Sequence, residues 1–390
     1  MRKQLLSLAL VMCSALAVAQ NNSEIYVFPW NAESLKAQSK EVVNISKNPG
    51  YDNQPFFTPK NELLFASTRN GQTDIALYDI KDESLIWASN TPGGSEYSPQ
   101  QMPQSKNYSA VRLDTTGLQM LYAYQAETGK FTELLPDVKV GYYLWLDTNR
   151  ILTTVLVENR MDLILFHRDT QKQYVLHKNV GRCLQFLPDR KSVSYVARTQ
   201  SGNELYQLQL KDLSSKTLYP LGTVEDYAWL PNRELVYGSD QKLIRLNPFA
   251  DAPKAKTWAT FTTLVNISRI AIGPNHVAFV AEPSPEVVVQ EQLDAYNRKD
   301  LEGFMNTYSD DIKLYTFPDQ LSVGSREQMW QDYKGYFDRT PDLHAKLVKR
   351  MVLGNKVIDQ EEVTANGRTF QAVAIYEVRN GKIYKVTFLR

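Results

Sequence analysis

Phe56-Phe57-Thr58-Pro59-Lys60-Asn61 leads into Leu63-Leu64-Phe65-Ala66-Ser67, and Asp74-Ile75-Ala76-Leu77-Tyr78 follows. A Pro/Asn turn bounded by short, β-branched or aromatic runs is the signature of a strand, a turn and the next strand. The punctuation returns at Met102-Pro103, Leu146-Asp147, Leu187-Pro188-Asp189, Leu230-Pro231-Asn232 and Gly273-Pro274-Asn275, at intervals of 44, 44, 41, 43 and 43 residues. Between the turns lie inner runs such as Ser194-Tyr195-Val196-Ala197 and Val277-Ala278-Phe279-Val280, with outer runs such as Leu163-Ile164-Leu165-Phe166 and Leu243-Ile244-Arg245-Leu246. Four short strands per unit with a turn at a fixed place describe a β-propeller blade. Helical repeats would need a 3.6-residue apolar period, which these runs lack.

Six turns predict six blades. The sixth unit stops at Ala281-Glu282 without an outer strand, while Glu24-Ile25-Tyr26-Val27-Phe28 precedes the first turn without a blade of its own. The N-terminal strand is therefore expected to complete the last blade and close the ring, which removes a free sheet edge. The Pro-Lys-Asn turn, the Leu-Phe-Ala-Ser strand and the Asp-Ile-Ala-Leu-Tyr strand resemble the repeats of TolB-like six-bladed propellers over about residues 24–282. Asp147 departs from the pattern by replacing the turn proline. The resemblance implies architecture and leaves function open, because such rings serve as partner-binding, scaffold or enzyme-associated modules.

Composition agrees with a folded, strand-rich chain of more than one domain. The 390 residues are 43% hydrophobic and 22% charged, with 22 tyrosines. Lys plus Arg number 44 against 43 Asp plus Glu, and no basic run stands out, so nucleic acid is excluded as an expected partner. At the N-terminus, Arg2 and Lys3 precede an apolar stretch from Leu5 to Ala19 that ends Ala17-Val18-Ala19. That is the form of a cleavable secretory signal over residues 1–19, cut before Gln20, which predicts a secreted or periplasmic protein. Met12 before Cys13 argues against a lipoprotein, and no later stretch is long and apolar enough to span a membrane. Without Cys13, Cys183 is alone and reads as a buried structural thiol.

The ring carries little recognisable chemistry. It has no Gly-x-Ser-x-Gly elbow, no glycine-rich phosphate cradle and no EF-hand loop, and the four histidines of the whole chain (His167, His177, His276 and His344) lack metal-ligand spacing. No cofactor and no metal are expected. Asp74 and Asp162 recur at one blade position, where the plain reading is a carboxylate receiving turn amides and the alternative is partner or calcium binding.

Glu282-Pro283-Ser284-Pro285 breaks the pattern and predicts a linker over 283–285. Beyond it the apolar period changes from 2 to 3.6. Val289, Leu293 and Tyr296 form one helical stripe; a second helix runs from its cap Asp300 through Phe304 and Met305 to Tyr308. A strand over 312–315, a helix over 326–337 and strands over 343–353, 357–364, 370–378 and 382–389 complete residues 286–390. Asn380-Gly381 marks a tight hairpin. Helices first and antiparallel strands after predict an α+β unit with its helices on one face of a curved sheet.

Asp294-Ala295-Tyr296-Asn297-Arg298-Lys299-Asp300-Leu301, Tyr308-Ser309-Asp310-Asp311 and Tyr376-Glu377-Val378-Arg379-Asn380-Gly381-Lys382-Ile383 resemble a SnoaL-like domain, of the nuclear-transport-factor-2-like superfamily that includes ketosteroid isomerase. The resemblance implies a conical pocket between helices and sheet, and often a homodimer through the sheet. The isomerase's tyrosine, base and second acid fall by motif order near Gln292, Thr316 and Ile375, and none is retained. The isomerase set is thus incomplete. Strict alternation along the strand from Leu343 puts His344 and Arg350 on one face, and Asp359 shares a face with Glu361 on the next. His344, Asp359 and Arg350 are the expected base, orienter and anion clamp, against the alternative of an exposed face bearing ion pairs. Tyr308, Tyr315, Trp330, Tyr333 and Tyr376 are the candidates for an aromatic pocket wall, at spacings that also suit plain core packing.

Three functions remain open at this point. The first is a binding protein whose ring takes a protein partner and whose cone holds a small apolar ligand. The second is an acid/base enzyme acting by proton transfer or hydrolysis on a small apolar carbonyl compound. The third is a cone serving only as a homodimerisation module.

Overall fold

The computed structural model describes residues 22–48 and 50–389. The expected export segment lies outside the described residues. Six antiparallel sheets follow one another along the chain, and their first strands are Asp52–Phe57, Gly94–Gln101, Val140–Trp145, Val180–Phe186, Ala228–Trp229 and Leu264–Ile272. Each of the first five sheets is a four-stranded meander in sequence order. The sixth is closed by the N-terminus: Glu24–Asn31 pairs antiparallel with His276–Pro283, from Glu24 opposite Ala281 to Pro29 opposite His276. The first strand of the last sheet packs against Asp52–Phe57, so the ring is complete, and the fold is a six-bladed propeller.

The blades are held together by repeated polar stitches as well as by apolar packing. Tyr227 and Trp229 both donate to Ser194 Oγ of the preceding blade, at 2.9 and 2.8 Å. Two blades earlier Trp145 donates to Ser109 Oγ at 2.9 Å, while the Tyr143 hydroxyl donates to the Ser109 carbonyl at 2.7 Å. Asp74 and Asp162 each accept a backbone amide 17 residues onward, from Thr91 and Asn179 at 3.1 Å. Cys183 is buried, donates to the Tyr227 carbonyl at 3.4 Å, and burial pushes its thiol up to about 12. It is a packed thiol rather than a nucleophile. At Gly238 the backbones come so close that a Cβ would stand 1.9 Å from the Ile267 carbonyl oxygen of the next blade.

Only Ser284 separates the last propeller strand, His276–Pro283, from the helix Pro285–Arg298, which starts on a proline suited to a first helical turn. Lys299 ends it in the left-handed region at φ 55°. Asp300 then caps Leu301–Asn306 by accepting from the Gly303 amide at 2.9 Å. Tyr308 does not extend that helix. It begins the strand Tyr308–Thr316, because Thr307 closes the helix and the alternation Tyr308, Ile312, Leu314 buries one face of a strand. A short strand, Gln320–Val323, precedes the helix Arg326–Arg339, and His344–Leu353, Lys356–Ala365, Arg368–Arg379 and Lys382–Leu389 complete a six-stranded sheet. In that sheet Tyr308–Thr316 lies between Gln320–Val323 and Lys382–Leu389, parallel to the latter, and His344–Leu353 forms the far edge. The three helices pack on one face around Val289, Phe304, Met329 and Phe337.

Candidate functional site

The cone is open. Between its helices and the concave sheet lies a cavity of about 470 Å³. Tyr296, Tyr308, Tyr333 and Tyr376 wall it, Ala345, Val363 and Ala372 line the sheet side, and Gln331, Asp332, Arg339 and Phe370 stand at exposed positions around it. Tyr296 and Tyr333 come from helices and Tyr308 and Tyr376 from strands, and the small side chains of Ala345 and Ala372 on the sheet leave space between them.

Glu361 is the polar centre of this cavity. Its side chain is buried, and the Tyr376 hydroxyl donates to Oε1 at 3.2 Å. Burial, reinforced by the charge of Asp359, pushes its carboxyl up to about 7, with the Tyr376 hydrogen bond pulling the other way. The group thus changes protonation near neutral pH. Burial also drives the Tyr376 and Tyr308 hydroxyls well above the ordinary phenol range, so both remain hydrogen-bond donors. Gln292 is buried on the first helix of the cone, and its Oε1 has no hydrogen-bond partner.

Asp359 and Arg350 come together as expected, but as a closed pair beside the cavity. Arg350 Nε donates to Oδ1 of Asp359 at 2.7 Å and Nη2 to Oδ2 at 2.6 Å, while Nη1 donates to Gln290 Oε1 at 2.9 Å. The fork-on-carboxylate geometry uses the guanidinium inward, and Asp359 is fully buried. Neither residue lines the cavity.

His344 is not brought to this pair. Strict alternation fails because the register shifts between Leu347 and Lys349, where Val348 forms a bulge. Ala345 therefore pairs with Val363 and Leu347 with Glu361, on the cavity side together with Arg350 and Asp359. His344 pairs with Thr364 and is exposed on the other face. One extra residue thus exchanges the faces of half a strand.

Of the aromatic candidates, Tyr308, Tyr333 and Tyr376 line the cavity. Trp330 is partly buried against the core outside it, and Tyr315 meets Lys385, whose ammonium lies 5.3 Å from the ring centroid. Glu361, Tyr296 and Tyr336 are cavity residues that sequence reasoning left out. The signal for Glu361 was its alternation with Val357 and Val363, which placed it on a buried face. Among the described residues no three His, Cys, Asp or Glu side chains cluster as a metal site, and no helix is long and apolar enough to cross a membrane.

Residues 289–386 match the model of the SnoaL-like domain, and this part of the chain is a SnoaL-like domain carried behind a propeller. No curated protein matches the chain. Among solved structures, a cystatin-fold protein from Novosphingobium aromaticivorans is 23% identical over 28% of this chain and 100% of its own, with a TM-score of 0.27. A protein from Kribbella flavida described as a ketosteroid isomerase is 15% identical over 27% of this chain and 76% of its own, with a TM-score of 0.25. TolB from Acinetobacter baumannii is 12% identical over 67% of this chain and 64% of its own, with a TM-score of 0.47.

Proposed function

We propose that the protein is a binding protein working outside the cytoplasm. In this reading its SnoaL-like cone holds a small, largely apolar molecule and its propeller serves as scaffold and partner-binding ring. The observation that carries the reading is the cavity of about 470 Å³, with aromatic walls, the buried polar groups of Glu361, Tyr376 and Gln292 inside it, and Gln331, Asp332 and Arg339 at exposed positions around it. A concave space with aromatic walls and a few converging buried polar groups is the form of a small-molecule site. The test is native mass spectrometry of the full mature chain, followed by titration with 2-naphthol as an aromatic probe. Retained or added ligand mass that disappears in Ala372→Phe, a variant that fills the cavity, supports the reading. A chain that carries no ligand and binds the probe no better than Ala372→Phe overturns it.

A second reading, proton transfer on a small carbonyl compound, is favoured by one observation: Glu361 sits near neutrality with a hydroxyl donor beside it. Glu361 there takes the base role that strand alternation assigned to His344. Its carboxylate would remove the proton next to the carbonyl and return it at another carbon, with Tyr376 donating to the oxygen that gains charge. Turnover of a small cyclic enone that survives Glu361→Gln unchanged rejects this reading. Self-association has its own motive, since Val348, Met351 and Leu353 are exposed on the edge strand. Sedimentation of the full chain, compared with Met351→Lys, tests that contact.

A further inference from the structure

The axis of the propeller holds a second cavity, smaller and of opposite character. It measures about 120 Å³ and is lined from every blade, with Gln54, Ser98, Tyr142, Arg182, Asp226 and Arg269 among its residues. Its charges do not balance. Arg182 embraces Asp226, with Nε 3.0 and 3.1 Å from the two carboxylate oxygens and Nη2 closer still. Glu225 beside them is engaged by Arg198. Arg269 is left with weaker partners: its Nη1 lies 3.4 Å from Asp226 Oδ1, and its Nη2 donates to the Tyr142 hydroxyl at 3.3 Å. Three guanidinium groups thus face two carboxylates. The side chain of Arg269 is only 14% exposed, so this extra positive charge is held in a poorly solvated place.

The backbone bends to put it there. Arg269 has φ 47°, in the left-handed region that a long side chain rarely adopts, at an irregularity in the Leu264–Ile272 strand. Gln54 and Ser98 share that conformation in their blades at φ 59° and 51°. A strained position that delivers a half-partnered cation into a cavity is a reason to look for its anion.

We propose that the axial cavity binds a carboxylate group, with Arg269 as the main donor, the Tyr142 hydroxyl beside it and Asp226 as the internal competitor. A guanidinium fork matches a carboxylate with two parallel hydrogen bonds, which the Tyr142 hydroxyl and the single longer approach to Asp226 do not supply. The space equals about four water volumes, enough for a carboxylate and the two or three carbons next to it. A small free acid and the C-terminal carboxylate of a peptide share that chemistry. The site lies in the propeller, apart from the cone cavity, so either assignment can fail without the other.

The test is calorimetric titration of the full chain at pH 7 and low salt with succinate, with a short peptide ending in Gly-Ala, and with the C-terminal amide of that peptide. Carboxylate probes bind and the amide does not. A stronger succinate response assigns a small acid, and a stronger peptide response assigns a chain terminus. Arg269→Gln weakens binding at least tenfold and Arg269→Lys restores part of it. Asp226→Asn tightens it several-fold, because both arginines lose their internal carboxylate, whereas a merely structural role for Asp226 gives no gain. Absence of binding by both carboxylate probes to the unmodified chain overturns the proposal, as does equal affinity in a folded Arg269→Gln variant.

Discussion

Tyr376 donates its hydroxyl to Oε1 of Glu361 at 3.2 Å inside the cone, and this one hydrogen bond opposes the burial that keeps the carboxyl protonated. The sign of its removal follows. Tyr376→Phe takes away a donor to the ionised form, so the Glu361 midpoint moves further above about 7. Carbon-13 NMR of the glutamate side chains, titrated from pH 4 to 9, reads both values. A midpoint near the ordinary glutamate range in the unmodified protein would show that water reaches the carboxyl and would undo its role in either functional reading.

The Arg350–Asp359 pair is predicted to be structural, and its two halves should not behave alike when removed singly or together. Arg350→Met leaves the fully buried Asp359 without its cation, at a cost of about 3–5 kcal/mol to the cone. Arg350→Met with Asp359→Leu removes both charges and recovers most of that loss. Thermal unfolding followed by near-ultraviolet circular dichroism resolves the cone transition. A double variant as unstable as the single one would mean that the pair contributes more than mutual neutralisation.

How far the sequence reached is visible on the strand from His344 to Leu353. Elements and order were legible, because the periods 2 and 3.6 and the turn residues are local signals, and the N-terminal strand closing the ring followed from a surplus strand before the first unit and a missing outer strand in the sixth. The bulge at Val348 was not legible. Nothing in Lys346-Leu347-Val348-Lys349-Arg350 announces an extra residue, and one residue moved His344 away from Arg350. Glu361 was hidden for a different reason. Its chemistry comes from what surrounds it across strands and helices, and such burial is a property of packing rather than of neighbours in sequence. The axial cluster was out of reach for the same cause, since Arg182, Asp226 and Arg269 belong to three different blades.

The serine stitches between blades make a graded prediction. Ser194→Ala leaves two buried donors, the Tyr227 hydroxyl and the Trp229 indole, without their acceptor. In Ser109→Ala the Tyr143 hydroxyl keeps the backbone carbonyl, and only the Trp145 indole loses its partner. Each orphaned buried donor costs about 1–3 kcal/mol, so Ser194→Ala should lower propeller stability about twice as much as Ser109→Ala. Urea unfolding of the two variants decides it, and equal losses would count against the stitches as a source of stability.

Backbone proximity at Gly238 gives a prediction that needs no assumption about charge. An added methyl would meet the Ile267 carbonyl oxygen at 1.9 Å, and because that atom is backbone it cannot rotate away. Gly238→Ala must push the fifth and sixth blades apart, at a cost of about 1–3 kcal/mol. A variant as stable as the parent in calorimetry would show that this joint is looser than the geometry requires.

Acid pairs at two blade joints predict an unusual pH dependence for the propeller. Burial pushes Asp52 up to about 7, with the charge of Glu24 adding to it, and burial likewise pushes Glu96 up to about 7, with Asp74 adding to it. A carboxyl whose midpoint is higher in the fold than in the unfolded chain contributes stability that is complete below about pH 4 and lost as pH rises through 7. The unfolding temperature of the propeller should therefore fall between pH 5 and 8. Carboxylates held low, such as Asp226 and Glu234, titrate below that window. His177 and His276, lowered by burial, act in the opposite sense but equally in every variant. Asp52→Asn and Glu96→Gln should each flatten the slope and raise stability at pH 8, because a neutral amide needs no proton to stay buried. Scanning calorimetry across the window is the measurement, and an unfolding temperature that climbs from pH 5 to 8 in the unmodified protein, with no change of slope in either variant, would show that both acids ionise freely at their joints.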